Sequence, residues 1–354
     1  MFDFLPARVQ QDTNIVTRFD LAQWELLIRQ ARQANLLSRV HALLGRAGLL
    51  DTIPASPRLH LESARRVADK QAVAVSWEAR QISAALKNET DKVVMLKGAA
   101  YALGGHDAAL GRVFTDIDIL VRKDVINRVE AALMLAGWQT GHHDEYDQRY
   151  YRRWMHEIPP MQHIRRLTVI DVHHAILPLT ARLQSNADLL WQELVPIPSY
   201  PGLFSLAPID MVLHSATHLF TGELEQGMRD LSDIDLLLRQ HGNETFWAAL
   251  PKRAQELGLS RPLFYALRWS ARLYLTPVPK TVIKQLNRPV LLGPLMDTLL
   301  ERALMPEHQS TRDELSGLAR LIVYVRAHWL RMPLHLLLPH LLHKAFIKPK
   351  EEPA

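Results

Sequence analysis

Apolar positions follow a helical period along the first quarter of the chain. Leu21, Trp24, Leu27 and Ile28 recur at spacings of one, three and four, which puts them on one helix face, and the helical stretch ends near Gly45 to Gly48. Residues 51–60 carry two prolines and read as a turn, and Leu61 to Leu86 is again helical and rich in alanine. The period then changes. Val93-Val94-Met95-Leu96 is a short apolar run closed by Lys97-Gly98, as expected of a buried strand, and a short helix from Ala99 to Leu103 follows, ending at Gly104-Gly105. Asp116 to Val121 alternates and is β-branched, which predicts a second strand. Asp124 is placed to cap a helix through Ala136, with Gly137 ending it. Leu167 to His173 gives a third strand, and from Pro208 onward the pattern is helical, through Leu236, Leu263 and Leu299. The expected class is therefore α+β: an N-terminal helical region over residues 1–88, an α/β core over 89–205 and a C-terminal helical region over 206–354.

Composition narrows the chemistry. A chain of 354 residues suits two or three packed units, and 48% hydrophobic with 22% charged residues is a globular balance. The absence of cysteine excludes disulfides, iron–sulfur clusters, thiolate zinc and a cysteine nucleophile. The net charge, 42 − 37 = +5, is mild for this length and does not by itself point to nucleic acid. The start of the chain lacks a basic segment followed by an apolar one, and no run of about 18 apolar residues occurs. A soluble, cytoplasmic protein is expected.

The strongest local signal is Asp116-Ile117-Asp118. In a strand both carboxylates leave one face while Ile117 points into a core. Two carboxylates that close raise one pKa unless a cation sits between them, and a hard divalent ion is the natural partner. The bland alternative is a solvated polar sheet face. Three features weigh against it. Lys97-Gly98 joins a strand to a helix, so an ammonium, backbone N–H groups and a glycine converge where a phosphate would fit. Arg112, four residues before Asp116, is a second cation. Asp171 lies inside an apolar strand, where a lone carboxylate is costly, and it joins Asp116 and Asp118 if the third strand lies beside the second. Three carboxylates and two cations over a glycine turn are the parts for metal-assisted nucleotidyl or phosphoryl transfer, with Mg²⁺, or Mn²⁺ in its place.

These residues, Leu96-Lys97-Gly98, Arg112, the Asp116 to Val121 strand and the helix ending in Ala136-Gly137-Trp138, resemble the uncharacterised nucleotidyltransferase family of the DNA polymerase β-type nucleotidyltransferase superfamily. The resemblance is best over residues 90–175 and extends more weakly to His214, His218 and Asp230-Leu231. It implies a small mixed sheet flanked by helices. It also implies that Asp116 and Asp118 are the first two metal ligands, with Asp171 as the third carboxylate. The implied activity is transfer of a nucleotidyl group from a nucleoside triphosphate such as ATP to a hydroxyl acceptor, whether small molecule, RNA end or protein. Where the wider superfamily has serine after the glycine this chain has Ala99; the Lys-Gly form looks typical of this branch, so Lys97 is expected to do the phosphate work instead, with Arg112 as the second phosphate-holding cation. The alternative is a nucleotide-binding scaffold without turnover.

Other candidates are weaker. His214 and His218 share a helix face, which fits a histidine-based metallohydrolase or, more simply, helix-packing histidines bonded to Asp230. Asp233-Ile234-Asp235 repeats the acidic string inside a helical run, where the side chains diverge by about 200° and cannot share an ion, so Asp233 reads as a capping or salt-bridge residue. His173 shares the face of Asp171 and is a candidate base or orienting group. Residues 142–156 mix aromatics with arginine and read as an exposed hairpin beside the site, or as a surface that stacks a base. From Ser316 to Lys350 there is no acidic residue, while Arg320, Arg326, Arg331, Lys344, Lys348 and Lys350 are basic, which offers a weak membrane-surface or protein contact.

Overall fold

The computed structural model describes residues 2–141, 145–286 and 293–337, with the side chains of 145–149 outside the description. The N-terminal helices are α1 (Leu5–Gln11), α2 (Leu21–Gln33), α3 (Leu37–Arg46) and α4 (Ala55–Leu86). A capping box between Asp20 and Gln23 starts α2. Helix α4 begins earlier than the proline content predicts: Pro54 is its N-cap and Pro57 lies in its first turn, where a missing N–H leaves no acceptor unpaired. Its buried stripe of Leu61, Ala68, Val75, Ala79, Ile82 and Leu86 recurs at sevens, fours and threes.

A seven-stranded mixed sheet follows. Its strands are β1 (Val93–Met95), β2 (Ile117–Leu120), β3 (Trp138–Thr140), β4 (Met161–His163), β5 (Val169–His173), β6 (Leu194–Pro196) and β7 (Leu203–Leu206). They lie in the order β3-β4-β5-β2-β1-β7-β6. Strand β1 runs antiparallel to β2 and parallel to β7, and β2 runs parallel to β5. The three anticipated strands are β1, β2 and β5. The other four escape sequence reading because they are three or four residues long, too short to show a period. Between the strands lie α5 (Lys97–Leu103), α6 (Ile126–Leu135) and α7 (Glu145–Trp154). Asp124 sits in a 3₁₀ turn ahead of α6 and does not cap it. The expected hairpin is helix α7, in which Tyr150 and Trp154 meet edge to face one turn apart while Arg152 forks onto Glu130 of α6. Residues 142–144 lie outside the described residues.

The C-terminal part comprises α8 (Pro208–Thr221), α9 (Gly227–His241), α10 (Glu244–Glu256), α11 (Ser260–Leu273), α12 (Lys280–Leu286), α13 (Gly293–Ala303) and α14 (Ser316–Arg331). Apolar side chains from Phe4 to Val323 join in one core around the sheet. The basic C-terminal stretch uses its described arginines internally: Arg320 pairs with Glu307, Arg326 donates to the Phe220 carbonyl and Arg331 pairs with Glu223. Lys344, Lys348 and Lys350 lie outside the described residues. Among the described residues no helix is long and apolar enough to cross a membrane.

Candidate active site

The site forms where β2 and β5 run side by side. Their register sets Asp118 opposite Asp171 and Leu120 opposite His173, so Asp118 and Asp171 leave the same sheet face. Strand β2 is buried along its whole length, and Asp118 is 4% exposed. Such a carboxylate needs partners. Its Oδ1 accepts from the Lys97 ammonium at 2.7 Å and from His173 Nε2 at 3.0 Å. Burial alone would raise the Asp118 pKa, but Lys97 and His173 outweigh it and hold the carboxyl well below its ordinary value.

Lys97 reaches this position from the first residue of α5, with φ +46°, a left-handed conformation that costs a lysine about 1 kcal/mol. Burial opposes its charge, yet Asp118, with Asp116 and Asp171 behind it, raises its pKa. Gly98 follows for a steric reason: a Cβ there would lie 2.0 Å from a terminal nitrogen of Arg112. The glycine thus makes room for the arginine.

Arg112 is held from behind. Its Nε donates to Asp233 Oδ2 at 2.7 Å, while Asp233 Oδ1 accepts from Arg39 at 2.7 Å. Arg39, buried on α3, also donates to Ser232 Oγ and to the carbonyls of Ala108 and Leu110. Burial pushes the Asp233 pKa up, and the two arginines more than reverse it. Gly111, at φ +58°, lets the loop pass close to the backbone of Ser38. Asp233 is thus a salt-bridge residue. Its neighbour Asp235 turns away to Arg239, Thr276 and Gln10, as helix geometry requires.

Asp171 has the opposite electrostatics. Its Oδ1 is buried without a hydrogen-bond partner. Burial, then Asp118, Glu157 and Asp116, push its pKa up to about 7. Asp116 precedes β2, is half-buried and accepts from the Thr115 hydroxyl at 3.0 Å. Asp116 and Asp118 act on Asp171, and all three act on Lys97, but they are not a tight trio. Among the described residues, the group of metal-ligand type with all donor atoms within 4.8 Å is His156, Glu157 and His173. The Asp118 and Asp171 carboxylates, on one sheet face with one oxygen orphaned, fit a hard divalent cation in donor type and backbone register, and Asp116 precedes the strand that carries the first of them.

An inner recess of about 110 Å³ is lined by Lys97, Gly98, Arg112, Asp116, Asp118 and Asp233. It shares Thr115, His218, Arg229 and Asp230 with an outer cleft of about 380 Å³ that opens toward Glu223, Gln226 and Arg331. His218 therefore stands on the cleft wall, its pKa driven well below the usual value first by Lys97. His214 is buried, and that burial, with Lys97 and His173, lowers its pKa to about 3. The bond from these histidines to Asp230 is not made; Asp230 Oδ1 instead accepts two N–H groups of the adjacent Arg229.

Sequence reading missed Arg39, Glu157 and His156. Arg39 and Asp233 are 194 positions apart, and no local pattern ties them. Glu157 lies on an irregular stretch that bridges to His173, with no periodicity to mark it.

The model of the uncharacterised nucleotidyltransferase family matches residues 20–274, from the end of the turn before α2 through α11, and the chain belongs to that family. No curated protein and no solved structure matches the chain.

Proposed function

We propose that the protein transfers a nucleotidyl group from a nucleoside triphosphate to a hydroxyl of an acceptor, with a divalent cation held by Asp116, Asp118 and Asp171. The observation that carries this reading is the in-register pair Asp118 and Asp171, one carboxylate oversupplied with positive partners and the other left with an unpartnered oxygen. When bound, Mg²⁺ or Mn²⁺ would neutralise charge on the phosphoryl oxygens. The protein's own groups do the rest. Lys97 stands on Asp118, so it is placed to exchange that carboxylate for a phosphate oxygen when the carboxylate engages a cation. Arg112, fixed through Asp233, adds positive charge to the recess wall. Asp171, in register with Asp118 and with one oxygen left unpartnered, is the group suited to take the proton of an attacking hydroxyl. The recess of about 110 Å³ has room for phosphate and ion, and the nucleoside and acceptor extend into the cleft of about 380 Å³.

The test measures pyrophosphate release from α-labelled ATP with Mg²⁺ and a panel of polyol acceptors. Asp118→Asn and the half-buried Asp116→Asn each lower the rate at least about 100-fold, with the circular-dichroism spectrum retained. A folded Asp116→Asn protein with full turnover would remove the aspartates from the chemistry. One observation favours a second reading, a nucleotide-binding scaffold: Ala99 supplies no hydroxyl beside Gly98. Calorimetric binding of Mg²⁺–ATP without transfer to any acceptor would support that reading.

A further inference from the structure

The aspartates proposed to hold the reaction's cation are not the tightest group of metal-ligand type among the described residues. His156, Glu157 and His173 each bring one donor atom within 4.8 Å of the other two. The backbone fixes them there. Glu157 bridges to His173 in antiparallel fashion, Ile158 donates to the Val172 carbonyl at 3.1 Å, and the His156 carbonyl accepts from His174 at 2.8 Å. The stretch therefore lies along the end of β5 as an extension of the sheet, a rigid base for ligands.

Two further observations concern the ring nitrogens. His173 Nδ1 faces Glu157 Oε2 at 3.2 Å, while its Nε2 lies 3.0 Å from Asp118 Oδ1. His156 Nδ1 is buried with no hydrogen-bond partner. A doubly protonated His173 would satisfy Asp118 and Glu157 but would leave the His156 ring nitrogen orphaned. An ion among the three residues answers both features. Its histidine would then donate the other ring N–H to a carboxylate, the arrangement that orients metal-bound imidazole in known sites.

We propose that His156, Glu157 and His173 form a site for a divalent transition ion, distinct from the aspartate site and joined to it through the hydrogen bond from His173 to Asp118. Two imidazoles and one carboxylate select a borderline ion of the Zn²⁺ or Co²⁺ type over Mg²⁺, which prefers oxygen. Occupancy fixes the His173 tautomer, with Nδ1 on the ion and Nε2–H on Asp118. The ion therefore sets the orientation of a residue in the transfer site without entering the recess.

Binding of Co²⁺ alone and Zn²⁺ alone to the full-length chain tests this, by calorimetry and by the visible ligand-field absorption of Co²⁺, in excess Mg²⁺. One equivalent should bind to the wild type. His156→Asn and Glu157→Gln should each weaken it at least about 10-fold, and Asp118→Asn should weaken it by about 10-fold as loss of an orienting carboxylate. Asp171→Asn should leave it unchanged. Glu157→Gln keeps the size of a partly exposed side chain, so it answers the question if His156→Asn fails to fold. No Co²⁺ or Zn²⁺ binding, or binding unaffected by Glu157→Gln, overturns the site. Binding lost in Asp171→Asn also overturns it, by assigning the ion to the aspartates. None of these readouts depends on turnover, so they stand apart from the transferase test.

Discussion

Replacing Asp233 by asparagine withdraws the carboxylate that bonds to both of two buried guanidinium groups. The Arg39 side chain is 2% exposed and that of Arg112 is 9%, so neither can recover its hydration without moving. Removing one partner of a buried ion pair costs about 3–5 kcal/mol, because the remaining charge stays uncompensated. An unfolding entropy near 2.1 cal/mol/K per residue gives roughly 0.7 kcal/mol/K for a chain of this length, so the melting temperature should fall by about 4–7 °C. The loss should depend on pH in one direction. The folded Asp233 pKa is lowered, so its contribution is complete above the ordinary carboxyl value and disappears as the pH falls below it. The gap between wild type and Asp233→Asn, read by thermal melts, should therefore be widest near neutrality and narrow below about pH 4. Arg39→Met combined with Asp233→Leu should cost less than the sum of the single changes, since Arg39 is no longer stranded. A cost near 0.5 kcal/mol, as expected for the exposed Arg65–Asp69 pair, would show the network to be hydrated and would refute the reasoning.

Other expectations concern Asp171 and the glycine on the recess wall. Asp171 carries a raised pKa of about 7, so the folded chain retains a proton that the unfolded chain releases, and stability falls as pH rises through roughly 4 to 7. With EDTA present, Asp171→Asn should abolish that fall, shifting its melting temperature relative to wild type by about 3 °C between pH 5 and pH 8.5; parallel curves would show that neither burial nor its acidic neighbours raise the Asp171 pKa. Gly98→Ala drives a methyl group into Arg112 and should cost about 1–3 kcal/mol and weaken Mg²⁺–ATP binding in calorimetry. Gly317→Ala meets open space near the start of α14 and should be neutral or stabilising by up to about 1 kcal/mol, so equal losses in the two variants would remove the steric argument.

The parts of the molecule that follow from local physics were readable in the chain. The run closed by Lys97-Gly98 and the alternation through Asp118 carry their own period, and they became β1, α5 and β2. The neighbouring of Asp118 and Asp171 needed one assumption, that the third strand lies beside the second, and the register of β2 on β5 meets it. What remained hidden depends on distant partners. A periodicity cannot say that Arg112 will be held by a residue 121 positions later, or that Gly98 is glycine because that same arginine lies across it. Helix α7 was misread for a related reason: its aromatic and arginine content suits a strand surface equally well, and Glu130 on α6 receives its Arg152.

The bond between Arg39 and Asp233 has a consequence for the order in which the molecule comes into being. A ribosome delivers α3 first and adds about 5–20 residues each second, so the 194 positions between the two partners take roughly 10–40 s to emerge. Through that interval the Arg39 guanidinium has no carboxylate to meet, and the wall that α9 lends to the recess does not yet exist. A nascent chain released before residue 233 therefore holds both aspartates of the β2–β5 pair but cannot close the chamber around them.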